Sequence, residues 1–213
     1  MEVQEVSPTM SQLLVVFANP RKNSYTRRIL QAFLSEYKQQ HPQDVITELD
    51  VYQNEIPIID AAVIEAWDKP RQDCSADELK LLARIDQYTE AFIAADKVVF
   101  AAPMWNLQFP PQLMDYLATI MVAGKTFTYT EKGCLGLVAD KPVALLHVRG
   151  GVFSAGPLQA MDHATPYLRS LCRMIGISDF RSVICEGIEM APEQAGQILD
   201  AAMQQARQLA KTF

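Results

Sequence analysis

Three short stretches of this chain hold the residue types that bind ligands. The first is Asn19, followed by Ser24-Tyr25-Thr26, an amide and hydroxyls just ahead of a stretch with helical spacing. Free N–H donors and the dipole at a helix start favour an anion there; an ordinary capped helix start looks the same. No glycine lies between Phe17 and Thr26, so this is neither a Walker A loop nor a G-x-G-x-x-G dinucleotide turn. The second stretch is Pro103-Met104-Trp105-Asn106-Leu107. An indole beside an amide and exposed backbone suits a flat aromatic ligand with a polar edge, while a Trp packed at a tight turn accounts for it equally. The third is Arg149-Gly150-Gly151, directly after an apolar run that ends in Val148. It pairs a cation with residues that let a ligand approach the backbone closely, or it is a plain turn at a strand end.

Read jointly, the three are an anion end, a ring wall and a ring edge, the parts of a site for a mononucleotide-like cofactor. FMN fits better than NAD, because the first loop lacks the dinucleotide glycines. No Ser-His-Asp order, carboxylate pair or nucleophilic cysteine context accompanies them. That favours chemistry carried by a cofactor, with the protein supplying orientation and electrostatics.

Loops this far apart in sequence need a scaffold that gathers them. Leu13–Phe17, Val98–Ala102 and Pro142–Val148 are short apolar runs of the kind buried on both faces of a parallel sheet. Val45–Val51 and Phe180–Cys185 complete five predicted strands. Helices are predicted through Ile29 to Tyr37, near Ala61–Trp67, and from the Ser75-x-x-Glu78 capping box to about Ala95, the last burying Leu79, Leu82, Phe92 and Ile93. Further helices are predicted from Pro110-Pro111 to a stop at Gly124, from Met161 to Gly176, and after Pro192. Between residues 126 and 138 the alternation Thr-Phe-Thr-Tyr-Thr predicts a hairpin-like excursion. Alternating strands and helices imply an α/β three-layer sandwich, a five-stranded parallel sheet with helices on both faces. Ligands sit at the carboxyl ends of such strands, where all three loops emerge.

The bulk numbers agree with a single globular domain over residues 1–213, with residues 1–11 as a flexible lead. A net charge of −6 argues against a nucleic-acid footprint. No apolar run approaches the roughly 18 residues that span a bilayer. The opening MEVQEVSPTMSQ lacks a positive flank before a hydrophobic stretch, so no secretory signal is read and a cytoplasmic location is expected. Cys74, Cys134, Cys172 and Cys185 have no C-x-x-C spacing, and His41, His147 and His163 are scattered. Free thiols and no structural metal are expected.

The combination PMWNLQFPPQL, AGKTFTYTEKGCLGLV and HVRGGVFSAGP, in that order and spacing, resembles the FMN-dependent NADH:quinone oxidoreductases known as azoreductases. The resemblance runs from about Leu13 to Phe213. It implies a flavodoxin-like fold and a homodimer with FMN at the interface. Phosphate contacts then fall on Asn19, Ser24, Tyr25 and Thr26, and ring contacts on Pro103, Met104, Trp105, Asn106, Leu107, Val148, Arg149, Gly150 and Gly151. Tyr129 and Phe153 are implied on the substrate side, Tyr129 across the dimer. The implied reaction is ping-pong: NADH or NADPH reduces the flavin at N5, then a quinone or azo compound takes two electrons, with Arg149 balancing charge on the reduced ring. The competing implication is a flavodoxin-like electron-transfer module with no small-molecule substrate. The chain departs from the family in its first loop, A-N-P-R-K-N-S-Y-T rather than an S-x-S clamp, and at Val148, which replaces Ser or Ala. The apolar helix Leu113–Met121 is the expected dimer surface.

Overall fold

The structure is a computed structural model that describes residues 10–213. In chain order the elements are β1 (Gln12–Phe17), α1 (Tyr25–Gln40), β2 (Val45–Asp50), α2 (Ala61–Trp67), α3 (Ala76–Ala94), β3 (Lys97–Pro103), α4 (Pro111–Ile120), β4 (Phe127–Thr130), β5 (Gly133–Gly136), β6 (Val143–Val148), α5 (Ala164–Ile175), β7 (Phe180–Cys185) and α6 (Ala195–Lys211). Five strands form one sheet in the order β2-β1-β3-β6-β7, every pair parallel. β4 and β5 form a separate antiparallel hairpin, the expected excursion.

The period-2 alternation of strand side chains sorts the core into two layers. Leu14, Val16, Val98, Phe100 and Leu145 face the layer that holds Phe92, Leu113, Leu117, Leu168 and Ile175 from α3, α4 and α5. Leu13, Val15, Val99, Ala101 and Leu146 face Ile29, Phe33, Leu199, Ala202 and Ala206 from α1 and α6. Burial on both faces is why β1, β3 and β6 read as unbroken apolar runs. β2, at the edge, keeps Thr47 and Glu48 exposed.

Four local expectations need correction. The buried stripe of α3 is Leu82, Ile85, Thr89 and Phe92, while Leu79 and Ile93, in the first and last turns of the helix, are exposed. Helix α4 stops at Ile120; Gly124, at φ +80°, instead makes the turn whose N–H reaches the Phe127 carbonyl at 2.8 Å. Leu113, Leu117 and Ile120 are buried in the chain's own core, while Gln112, Met114, Asp115 and Ala118 are half-buried. Met161 belongs to a 3₁₀ turn, Gly156–Met161, ahead of α5. Of the expected flexible lead, residues 1–9 lie outside the described residues. Ser11 is held, its N–H on Asp44 Oδ1 at 3.0 Å and its carbonyl on the Val45 N–H at 2.9 Å.

The hairpin is fixed against the end of α5. A Cβ on Gly136 would stand 2.2 Å from the Gly176 nitrogen, so two backbones touch where no side chain fits. Gly176 itself takes the left-handed conformation, φ 107°, that closes α5.

Candidate functional site

The loops after β1, β3 and β6 meet at the carboxyl edge of the sheet, joined by the loop after β7, around an open cleft that all four line.

At one end, Ser24 caps α1, its Oγ accepting from the Arg27 N–H at 3.2 Å. The Asn19 amide donates to the same Oγ at 2.8 Å and lies 3.5 Å from Thr26 Oγ1. Asn19, Ser24 and Thr26 are all buried, so the loop is preset rather than loose. The Arg28 N–H goes to the Ser24 carbonyl, which leaves the Tyr25 and Thr26 N–H groups at the helix start without intrahelical acceptors. Arg27 turns away, stacked on Phe17 and paired with Asp50 at 3.1 Å. Arg21 lines the cleft and has no ion pair among the described residues.

The middle wall is Pro103, Met104 and Trp105. The Met104 N–H donates to the Val148 carbonyl at 2.8 Å, which ties this wall to the third loop. Trp105 and Gln108 exchange hydrogen bonds of 2.7 and 3.0 Å across a two-residue turn. Asn106 and Leu107 both have positive φ, 49° and 68°, the pattern of a type I′ hairpin turn. Asn tolerates that conformation and Leu resists it; the Leu107 carbonyl is held by the His163 N–H at 3.2 Å. Asn106 and Leu107 do not line the cleft. Asn106 is exposed and faces a second depression beyond Trp105, beside Tyr52. The turn that aims Trp105 carries the amide outward.

The third loop differs most from expectation. Arg149 is 2% exposed, and its guanidinium donates to Asp162 Oδ2 at 2.7 Å, Thr165 Oγ1 at 2.6 Å and Glu186 Oε2 at 3.3 Å. Two carboxylates therefore outweigh its charge. Its Nε is buried without a partner. Burial pushes the Glu186 carboxyl up, but the Ser154 hydroxyl, the Phe153 and Ser154 N–H groups and Arg149 outweigh that and hold it below the usual carboxylate range. Behind the loop, the Gly150 carbonyl accepts the Glu189 N–H at 3.0 Å and the Gly151 carbonyl accepts the Gly187 N–H at 3.1 Å. Both carbonyls are thus occupied, and the Gly150 and Gly151 N–H groups have no acceptor among the described residues. Beneath it, His147 Nδ1 lies 2.8 Å from the Ala102 carbonyl, and burial, aided by Arg149, pushes its imidazole down to about 4.

Val148, Arg149 and Gly150 line the cleft, whereas Gly151 and Phe153 do not. Tyr129 stands on the hairpin, 73% exposed, outside the cleft of its own chain. Residues that sequence reasoning missed are Arg21, Asn23, Ile188 and Glu189. The strand-end rule applied to β7 points to the last two, since its loop leaves the same edge.

The donor set suits a mononucleotide: N–H groups, a hydroxyl and a cation at one end, an aromatic wall, and unpaired N–H donors at the other. Among the described residues, no three His, Cys, Asp or Glu side chains converge on a metal-sized site.

Comparison with known proteins follows the same line. A family model described as flavodoxin-like fold matches residues 11–210. The chain is 39% identical over 208 residues to FMN-dependent NADH:quinone oxidoreductase 1 of Listeria monocytogenes, covering 96% of this chain and 100% of that one. Among solved structures, an azoreductase from Bacillus anthracis Sterne superposes with a TM-score of 0.91 at 38% identity, over 96% of this chain and 100% of the other. An FMN-dependent NADH-azoreductase from Bacillus anthracis Ames Ancestor, in complex with FMN, superposes at 0.88 with 25% identity, over 94% and 98%.

Proposed function

Because this chain belongs to the flavodoxin-like family of FMN-dependent NADH:quinone oxidoreductases, we propose that it is an FMN-dependent NAD(P)H oxidoreductase that reduces quinones by two electrons and cleaves aromatic azo compounds. One observation carries this reading: a single cleft joins an anion-binding helix start, an indole wall and the unpaired peptide N–H of Gly150. When bound, FMN supplies two-electron transfer between the nicotinamide and the acceptor. The chain's part is to hold and orient. The Tyr25 and Thr26 N–H groups and the Ser24 hydroxyl take the phosphate, with Asn19 fixing that hydroxyl. Met104 and Trp105 flank the ring, and Asn106 and Leu107 serve by forming the turn that aims the indole. The Gly150 and Gly151 N–H groups donate to the ring's polar edge, where such preset dipoles are worth most against developing negative charge.

Donor and acceptor use the open side in turn, which makes the kinetics ping-pong. Two copies of the chain form the working unit, with FMN between them and Tyr129 and Phe153 bordering the acceptor's space. Supporting this, the short hairpin exposes Tyr129 on one face and Leu135 on the other, with Leu137 exposed just beyond it, and exposed large apolar side chains of this kind mark interaction surfaces. The test is purified protein: its visible spectrum should be that of bound flavin, and it should oxidise NADH or NADPH when menadione is added. No FMN uptake, or no turnover above free FMN, overturns the reading.

A further inference from the structure

Asp162 and Glu186 do not line the cleft, yet they decide what its third loop presents. Each has a second task that fixes its place. Asp162 Oδ1 accepts from the Ala164 and Thr165 N–H groups, both at 3.1 Å, at the start of α5. Glu186 accepts from the Phe153 and Ser154 N–H groups at 2.9 and 3.1 Å. Between them the Arg149 guanidinium is almost wholly shut off from solvent. The cluster therefore carries one cation and two carboxylates, a net negative charge held between Arg149, just before Gly150-Gly151, and the Phe153 and Ser154 N–H groups just after them. Because the cluster is largely buried, its charge is screened less than one in solution and acts on any group that gains an electron nearby.

We propose that Asp162 and Glu186 are positioning residues that set the reducing power of the site: they convert Arg149 from a cation available to the ring into the strut of a net-negative cluster beside the ring-edge donors. The consequence is that oxidised FMN is favoured over reduced FMN, so the reduced flavin is a stronger reductant than it would be beside a free arginine. This rests on FMN occupying the cleft as proposed above.

The experiment is anaerobic potentiometry of FMN-loaded protein, wild type against Glu186→Gln and Asp162→Asn. Both substitutions keep an acceptor in place and remove one negative charge, and circular dichroism checks the fold of each. Expected is a shift of about tenfold in the ratio of reduced to oxidised FMN affinity, toward the reduced form, equal to about 30 mV for a two-electron couple. Asp44→Asn is the control, removing a carboxylate that pairs with Lys97 at the opposite edge of the sheet, and its ratio should stay within twofold of wild type. Wild type that binds FMN, with neither cluster variant shifted or both shifted toward the oxidised form, overturns the proposal; so does an equal shift in Asp44→Asn. Wild type that takes up no FMN overturns the functional reading instead.

Discussion

The Gly150 carbonyl accepts the Glu189 N–H at 3.0 Å, and a Cβ on Gly150 would stand 2.4 Å from the Glu189 carboxylate. The loops after β6 and β7 are thus closed against each other with no space for a methyl group. Because the obstructing atom is the end of an exposed, flexible side chain, Gly150→Ala should fold with little loss of stability. The displaced carboxylate or the new methyl then crowds the cleft, and FMN affinity should fall by about tenfold, which is about 1.4 kcal/mol. Adding Glu189→Ala should recover part of that loss, measured by fluorescence titration of FMN.

Arg21 supplies a cation to the cleft that no carboxylate among the described residues neutralises. Ion pairing with a phosphate depends on that charge, whereas ring binding does not. Arg21→Gln should weaken FMN roughly tenfold and leave riboflavin, which lacks the phosphate, unchanged. Equal losses for the two flavins would place Arg21's contribution elsewhere.

Lys141 is buried, and its ammonium donates to the carbonyls of Phe92 at 2.9 Å, Ile93 at 2.8 Å and Ala95 at the end of α3. Lys141→Met would leave these carbonyls unpaired, a cost of about 1–3 kcal/mol. A lowered Tm with unchanged FMN affinity is expected, because the site lies at the other edge of the sheet.

His147 gives the fold a pH dependence. Burial keeps its imidazole neutral down to about 4, whereas the unfolded chain takes up that proton near 6.5. Between those values the unfolded state binds more protons, so stability rises with pH through this window and is complete above it. The full effect is roughly 3 kcal/mol. Urea unfolding across pH 4–7 should show the slope, and His147→Asn should remove most of it. Glu186, held below the usual carboxylate range, acts in the same direction at lower pH: its contribution is present above the unfolded carboxyl's pKa and is lost as pH falls through the folded one.

How legible the molecule is depends on the range over which each feature is specified. β1, β3 and β6 announce themselves because burial on both faces leaves a local apolar signature, and the Ser75–Glu78 capping box is local too. The positions of Asn19, Ser24, Trp105 and Gly150 follow from the strand-end rule once the sheet is drawn. Arg149 was readable as a site residue but its role was not. Its partners Asp162 and Glu186 lie 13 and 37 residues onward, and nothing in the local sequence says that a guanidinium will be consumed from within. Asn106 shows the same limit: residue type suggests a ligand contact, and the left-handed turn it shares with Leu107, which leaves its side chain exposed, is not written in that residue type.

Helix α5 acquires a mechanical meaning from its two ends. Its first turn offers Thr165 to Arg149, and its last residue abuts the hairpin where Gly136 meets Gly176. Twelve residues of helix form a rod of about 18 Å, clamped at one end to the most enclosed cation of the cleft and at the other to the arm that bears Tyr129. One helix is thus the common footing of the cleft's third loop and of the arm that carries the most exposed aromatic among the described residues.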